Sequence, residues 1–168
     1  MVWTSEAAGL LARYDCPWCG GSGLEPSAAP SVVPCACVCR RVFQACYRRF
    51  RRCAEADASA RRVSFAESRR GVDRHLIWFR RNEDYCADFQ AAGRRSLSPE
   101  QYRLFRYYHL LGGSAELVAR RLGVSRAGFF RQLEDVQEAA GREMALMLPH
   151  SLYPPRQYMS RVVVARLA

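Results

Sequence analysis

The sequence predicts a mainly α-helical protein, in which a small cysteine-closed knuckle is followed by a helical bundle. Three observations point that way. Apolar residues recur at the i, i+3, i+4, i+7 spacing of a helix face over several long stretches. Ser and Gly punctuate those stretches where helices would start and stop. Five of the eight Cys are crowded between residues 16 and 39. At 168 residues and 49% hydrophobic, the chain suits one compact domain or two small modules sharing a core. No apolar run of about 18 residues occurs, so no membrane span is expected. The first residues carry Glu6 and no basic start, so no secretory signal is expected either. Cysteines without such a signal point to reduced thiols or metal rather than a disulfide scaffold, in the cytoplasm of a bacterium or of a phage-infected cell.

The knuckle comes first. Residues 16–23 read Cys16-Pro17-Trp18-Cys19-Gly20-Gly21-Ser22-Gly23, and residues 34–39 read Pro34-Cys35-Ala36-Cys37-Val38-Cys39. A Cys-x-x-Cys pair followed by glycines makes a tight turn in which backbone N–H groups face the sulfurs, and Gly supplies the positive φ. Two such halves, fifteen residues apart, can close a tetrahedral site of four thiolates. We expect a structural Zn2+ on Cys16, Cys19, Cys35 and Cys37. Cys37 is preferred to Cys39, which falls where a helix begins. Segments this short need the metal to fold, at on the order of 10 kcal/mol. The first half resembles the repeat of the DnaJ-type cysteine-rich domain, Cys-x-x-Cys-x-Gly-x-Gly. The second half departs from it, so the resemblance implies a metal site and not a chaperone. Cys46, Cys53 and Cys86 read as core residues.

A basic helix follows. Over residues 38–57 the apolar positions Val42, Phe43, Cys46, Phe50, Cys53 and Ala54 fall on one face, with Arg40, Arg41, Arg48, Arg49, Arg51 and Arg52 between them. The net charge is +10, all 26 basic residues are Arg, and eleven of them lie in residues 40–74 against four acids. Depletion of Lys, Ile, Asn and Thr is the mark of a GC-rich genome, but codon bias does not cluster charge. Arg48, Arg49, Arg51 and Arg52 are therefore candidates for phosphate or another polyanion. Residues 58–74 look irregular, with doublets Arg61-Arg62 and Arg69-Arg70. A second helix is expected over 75–92, burying Leu76, Phe79, Cys86 and Phe89.

Residues 98–144 read as three helices. Ser98-Pro99-Glu100-Gln101 is a capping box with Pro at N1. The first helix carries Tyr102, Leu104, Phe105, Tyr108 and Leu111 and stops at Gly112-Gly113. Ser114 caps a short second helix over 115–122. Gly123 turns the chain, and Ser125 caps a third helix with Phe129, Leu133, Val136 and Ala140 inward. The run Ser114-Ala-Glu-Leu-Val-Ala119-Arg-Arg-Leu122-Gly123-Val-Ser125-Arg-Ala-Gly-Phe-Phe-Arg-Gln-Leu133 resembles the helix-turn-helix of sigma-factor region 4 and related phage or plasmid regulators. That resemblance implies a recognition helix in the major groove of double-stranded DNA. It would set Arg126, Phe130 and Arg131 toward bases and Arg121 and Ser125 near phosphate. Glu134, Asp135 and Glu138 depart from the pattern, since they would repel phosphate.

The organisation expected is thus a zinc knuckle (1–39), an Arg-rich helical segment (40–95), a helix-turn-helix (96–148) and a tail (149–168). In the tail, Leu152, Tyr153 and Tyr158 could pack back, and 162–164 could form a stray strand. His75, His109 and His150 fall in no triad or ligand spacing. Without paired carboxylates, a Ser/His/Asp set, a phosphate loop or an open metal site, an enzyme is not expected. The function expected is a sequence-specific DNA-binding transcriptional regulator. The alternative is a module binding RNA or RNA polymerase through residues 40–74.

Overall fold

A computed structural model describes residues 5–26, 33–63 and 72–146, with side chains left out at 5, 57–63, 72–82 and 146. The expected packing of Leu76 and Phe79, the Arg61-Arg62 and Arg69-Arg70 doublets and the whole 149–168 tail lie outside the described residues. The fold is mainly helical, as expected. Among the described residues it comprises α1 (Ser5–Leu11), α2 (Ala36–Val63), α3 (Val72–Ser96), α4 (Pro99–Phe105), a π-helical turn (Arg106–Leu110), α5 (Ala115–Leu122) and α6 (Arg126–Leu146). No described helix is long and apolar enough to cross a membrane.

The apolar stripe of α2 forms the centre. Val42, Phe43, Cys46, Phe50 and Cys53 are all buried, whereas Ala54 faces outward. Phe43, Tyr47, Phe50, Phe89 and Phe105 form a continuous aromatic layer between α2, α3 and α4, with Phe50 and Phe89 stacked at 4.7 Å. Helix α2 does not stop near residue 57 but runs on to Val63, and α3 starts at Val72, so the described parts of the stretch, 58–63 and 72–74, are helical rather than irregular. Its polar composition hid the helix, because a solvated helix shows no apolar stripe to read. Helix α3 also passes through Gly93 to Ser96. A Cβ at Gly93 would strike the Phe105 ring, so the small residue marks a crossing and not an end.

Helix α6 packs on α2 more closely still. A Cβ at Gly141 would fall on the Cys39 carbonyl and against Phe43. The expected inward stripe of α6, Phe129, Leu133, Val136 and Ala140, is buried, and Met144 continues it. The caps form as the sequence predicts. Ser98 Oγ accepts from the Gln101 N–H at 3.3 Å, and Gln101 Oε1 accepts from the Ser98 N–H at 3.1 Å. Ser114 and Ser125 accept from the Leu117 and Gly128 N–H groups. Gly123 is left-handed (φ 69°), and the Gly123 and Val124 N–H groups close the end of α5 on the Arg120 and Ala119 carbonyls.

Two features were not read from sequence. Helix α1 buries Ala7, Ala8, Leu11 and Ala12 against the knuckle. The other is the π-helical turn after α4, closed by Leu111 N–H donating to the Arg106 carbonyl. The extra residue in that turn shifts later positions by about 100°. Leu111 therefore leaves the apolar stripe and is 65% exposed. His109 is buried, ringed by Phe43, Tyr47, Phe105 and Tyr108 at centroid distances of 4.6–5.7 Å. Neither of its ring nitrogens has a hydrogen-bond partner among the described residues, and burial pushes its pKa down to about 3.

Two outcomes follow from this packing. Gly141→Ala gains about 1 kcal/mol of helix propensity but forces α6 off α2. We expect a net loss of about 1–3 kcal/mol in chemical denaturation, and an unchanged midpoint would contradict the close crossing. His109 must stay neutral to remain buried, so the stability tied to it is complete above about pH 6.5, its unfolded pKa. That stability falls by about 1.4 kcal/mol per pH unit from there toward pH 3. In His109→Phe this slope should be shallower by one proton, measured by denaturation between pH 7 and 4.

Candidate metal centre

The chain around the cysteines is bent by its glycines. After Cys16 and Cys19, Gly20 and Gly21 take positive φ (54° and 89°), and the Gly20 N–H donates to the Cys16 carbonyl at 2.9 Å. Ser22 clamps the turn, its hydroxyl and N–H both donating to the Cys19 carbonyl. Gly23 (φ 77°) lies flat against α1, where a Cβ would meet the Ala8 carbonyl. The strand-like pairing of Leu24 with Pro34 then returns the chain, fixed by Cys35 N–H donating to the Gly23 carbonyl at 2.9 Å. That pairing carries Cys35 to the start of α2, and Cys37 into its first turn.

The four sulfurs converge. Ligand atoms of Cys16, Cys19, Cys35 and Cys37 all lie within 4.8 Å of one another. Cys16 and Cys35 sulfurs are 3.9 Å apart, and those of Cys19 and Cys37 are 3.7 Å apart. Both separations are far beyond the roughly 2.05 Å of a disulfide. They straddle the edge of about 3.8 Å expected of a tetrahedron with metal–sulfur bonds of about 2.3 Å. The four cysteines are thus close enough to hold one metal ion, with a donor set that suits zinc. Burial pushes the Cys16 thiol up, but the Cys19 and Trp18 N–H groups and the neighbouring sulfurs of Cys19 and Cys37 outweigh it and bring the thiol down to about 7. Burial pushes Cys35 up, and Cys37 up to about 12. Filling the site therefore displaces protons.

Cys39 stays outside the cluster. It is fully buried, with Sγ 3.7 Å from the Pro34 carbonyl, and burial pushes its thiol up to about 12. Cys46 and Cys53 are buried on α2 and Cys86 is half-buried on α3, none of them in the four-sulfur group.

The Arg candidates separate into those held by the fold and those offered to solvent. Arg49, expected on the exposed face of α2, instead lies over the Tyr85 ring at 4.4 Å, because Tyr85 docks on α2 through a hydrogen bond to the Cys46 carbonyl. Arg51 pairs with Glu55 at 3.0 Å. Arg48 and Arg52 are exposed, each donating back to a carbonyl of its own helix. On α5 and α6, Arg121, Ser125, Arg126, Phe130 and Arg131 are all exposed. Arg121 is steadied over the Tyr107 ring at 4.8 Å and Arg126 over Phe130 at 5.9 Å, while the Ser125 hydroxyl is engaged as a cap.

Sequence reasoning missed the ion pairs that bind the knuckle and α2 to α6. Arg142 reaches Glu25 at 2.7 Å and Glu138 at 3.5 Å, and Arg40 reaches Glu134 at 3.2 Å and Glu138 at 3.8 Å. Partners separated by 94 and 117 positions leave no local signal. Comparison of the chain with known protein families, curated proteins and solved structures finds no match.

Removing one ligand should uncouple the knuckle. Cys16→Ser is expected to lower bound zinc from one per chain to well below that by elemental analysis, with partial loss of helical signal. Cys39→Ala should keep the full ion; loss of metal there would move the fourth ligand to Cys39.

Proposed function

We propose that the chain is a sequence-specific, double-stranded-DNA-binding transcriptional regulator whose four thiolates hold a structural zinc. Four thiolates complete the tetrahedron and leave no open position for water or substrate, which supports a scaffolding role for the metal over a catalytic one.

One observation carries the DNA reading. Over its first two turns α6 buries Phe129 and Leu133 while presenting Arg126, Phe130 and Arg131 to solvent, with Phe130 42% exposed. Immediately before it stand the short α5 and a left-handed Gly123, the arrangement expected of a helix-turn-helix. Arginines suit guanine edges, and an exposed ring suits a thymine methyl. Glu134 and Glu138, which would repel phosphate, are turned to Arg40 and Arg142 instead. Two of the three acids are thereby turned to the protein while Asp135 stays exposed, so the first two turns are the part of α6 offered to DNA.

The other reading, RNA or RNA polymerase held by residues 40–74, has among the described residues the exposed Arg41, Arg48 and Arg52, while Arg49 lies over Tyr85 and Arg51 is paired on the surface with Glu55. Selection from a random duplex pool separates the two. The DNA reading expects an enriched site, on which Arg131→Ala loses about 5- to 150-fold in affinity while losing little on random duplex. Failure to enrich, or equal losses on both, would sink it and favour the RNA or polymerase module.

A further inference from the structure

Beside the metal cluster lies a groove of about 420 Å³, walled by α2 and α6 and closed at one end by the knuckle. Its lining includes Trp18, Arg13, Arg40, Arg41, Gln44 and Gln137. The volume falls in the range of small-ligand sites, about 300–1,000 Å³. We propose that this groove binds an unpaired base of single-stranded nucleic acid, stacked on Trp18, with the adjoining phosphate on Arg41.

Trp18 is the first reason. An indole is among the largest apolar payloads a chain can bury, yet this one is 74% exposed. Its main chain is fixed, because residue 18 sits between two metal-ligand positions and the Trp18 backbone N–H is directed at the Cys16 sulfur. A solvent-facing indole carried on a fixed turn at the mouth of a groove is a stacking platform.

The charge in the groove is the second. Arg13 is held by Asp15 through two hydrogen bonds of 3.0 and 2.7 Å, and Arg40 by Glu134 and Glu138. Arg41 is exposed and makes no ion pair among the described residues. Two arginines thus build the walls, and the third is available to a ligand. Gln44 and Gln137 each bring an amide with both donor and acceptor, the pairing a base edge requires. A paired base inside a duplex cannot enter without leaving its stack, so the ligand is single-stranded.

This inference stands apart from the duplex reading of α6. The test uses the zinc-loaded full chain with Trp3→Phe and Trp78→Phe, which leaves Trp18 as the sole indole of the three. Titration with a twelve-residue oligo(dT) should quench its emission, and a blunt duplex of that length should not. Trp18→Ala should weaken oligo(dT) binding, followed by anisotropy, roughly 5- to 150-fold, with Trp18→Phe restoring most of it. Arg41→Ala should reduce the salt slope by about 0.7. Duplex binding should be unchanged in each variant, and bound zinc should remain at one per chain. Absence of quenching, equal losses on single strand and duplex, or equal affinity for thymidine monophosphate and the oligomer would each overturn the proposal. Loss of a selected duplex site alone would leave it intact and remove only the regulator reading.

Discussion

Helix α6 can lie directly on the first turns of α2 because Gly141 presents no side chain to the Cys39 carbonyl. Much else in the molecule depends on that approach. Helix α2 begins with the thiol pair Cys35 and Cys37, and α6 begins with Arg126 and Arg131, so one crossing joins the metal cluster and the candidate DNA face in a single body. The aromatic layer around Phe43 fills the space beside the crossing, and the Arg40 and Arg142 ion pairs close its polar edge. These pairs are about one-third to two-thirds exposed, and singly they are worth about 0–1 kcal/mol. Their role is orientation, while burial of Phe43, Val136 and Ala140 carries the energy.

The metal cluster depends on this frame and contributes to it. Residues 14–25 have little core of their own, holding Cys16 and Gly23 inward and Tyr14 and Trp18 outward on either side of the first thiol. What fixes them is convergence of four sulfurs, the backbone pairing around Leu24 and Pro34, and the Ala8 surface of α1. An ion bound by the four thiolates would add its binding energy to the folding of this segment, which has little core of its own.

Much of this was legible in the sequence, and the limits have physical causes. The capping box at Ser98, the Gly123 turn and the inward stripe of α6 were readable because each is set by residues within a few positions. Cys37 rather than Cys39 joins the four-sulfur group as expected, but not because Cys39 begins the helix, since α2 already starts at Ala36. A residue inside the first helical turn, two positions after Cys35, can still face the loop, while Cys39 is carried round into the core. What could not be read depends on distant partners. Nothing near Arg49 announces Tyr85, and nothing near Arg142 announces Glu25. The π-helical turn lacks a compositional mark, so Leu111 reads as apolar stripe although the extra residue turns it out. Helix α1 is four small or apolar contacts on a seven-residue helix, too short for periodicity to register.

The arginine excess takes on a different meaning once these placements are known. A guanidinium is planar, stays charged, and can stack on a ring as well as pair with a carboxylate. This fold uses all of those properties: Arg49, Arg94 and Arg121 lie over tyrosines, and Arg13, Arg40 and Arg142 hold carboxylates. Lys could replace few of them without losing the stack or the second hydrogen bond. The net +10 already sets the paired arginines against their carboxylates, so what the placements change is which guanidinium groups are free to turn to a polyanion. Among the described residues Arg48 and Arg52 on α2, and Arg126 and Arg131 on α6, are left to act outward on a duplex, while Arg41 lines the groove beside Trp18. The α2 group would supply affinity that salt can screen. Discrimination among sequences would have to come from the α6 pair, where a ring stands between two forks and the core on the opposite face holds the helix still.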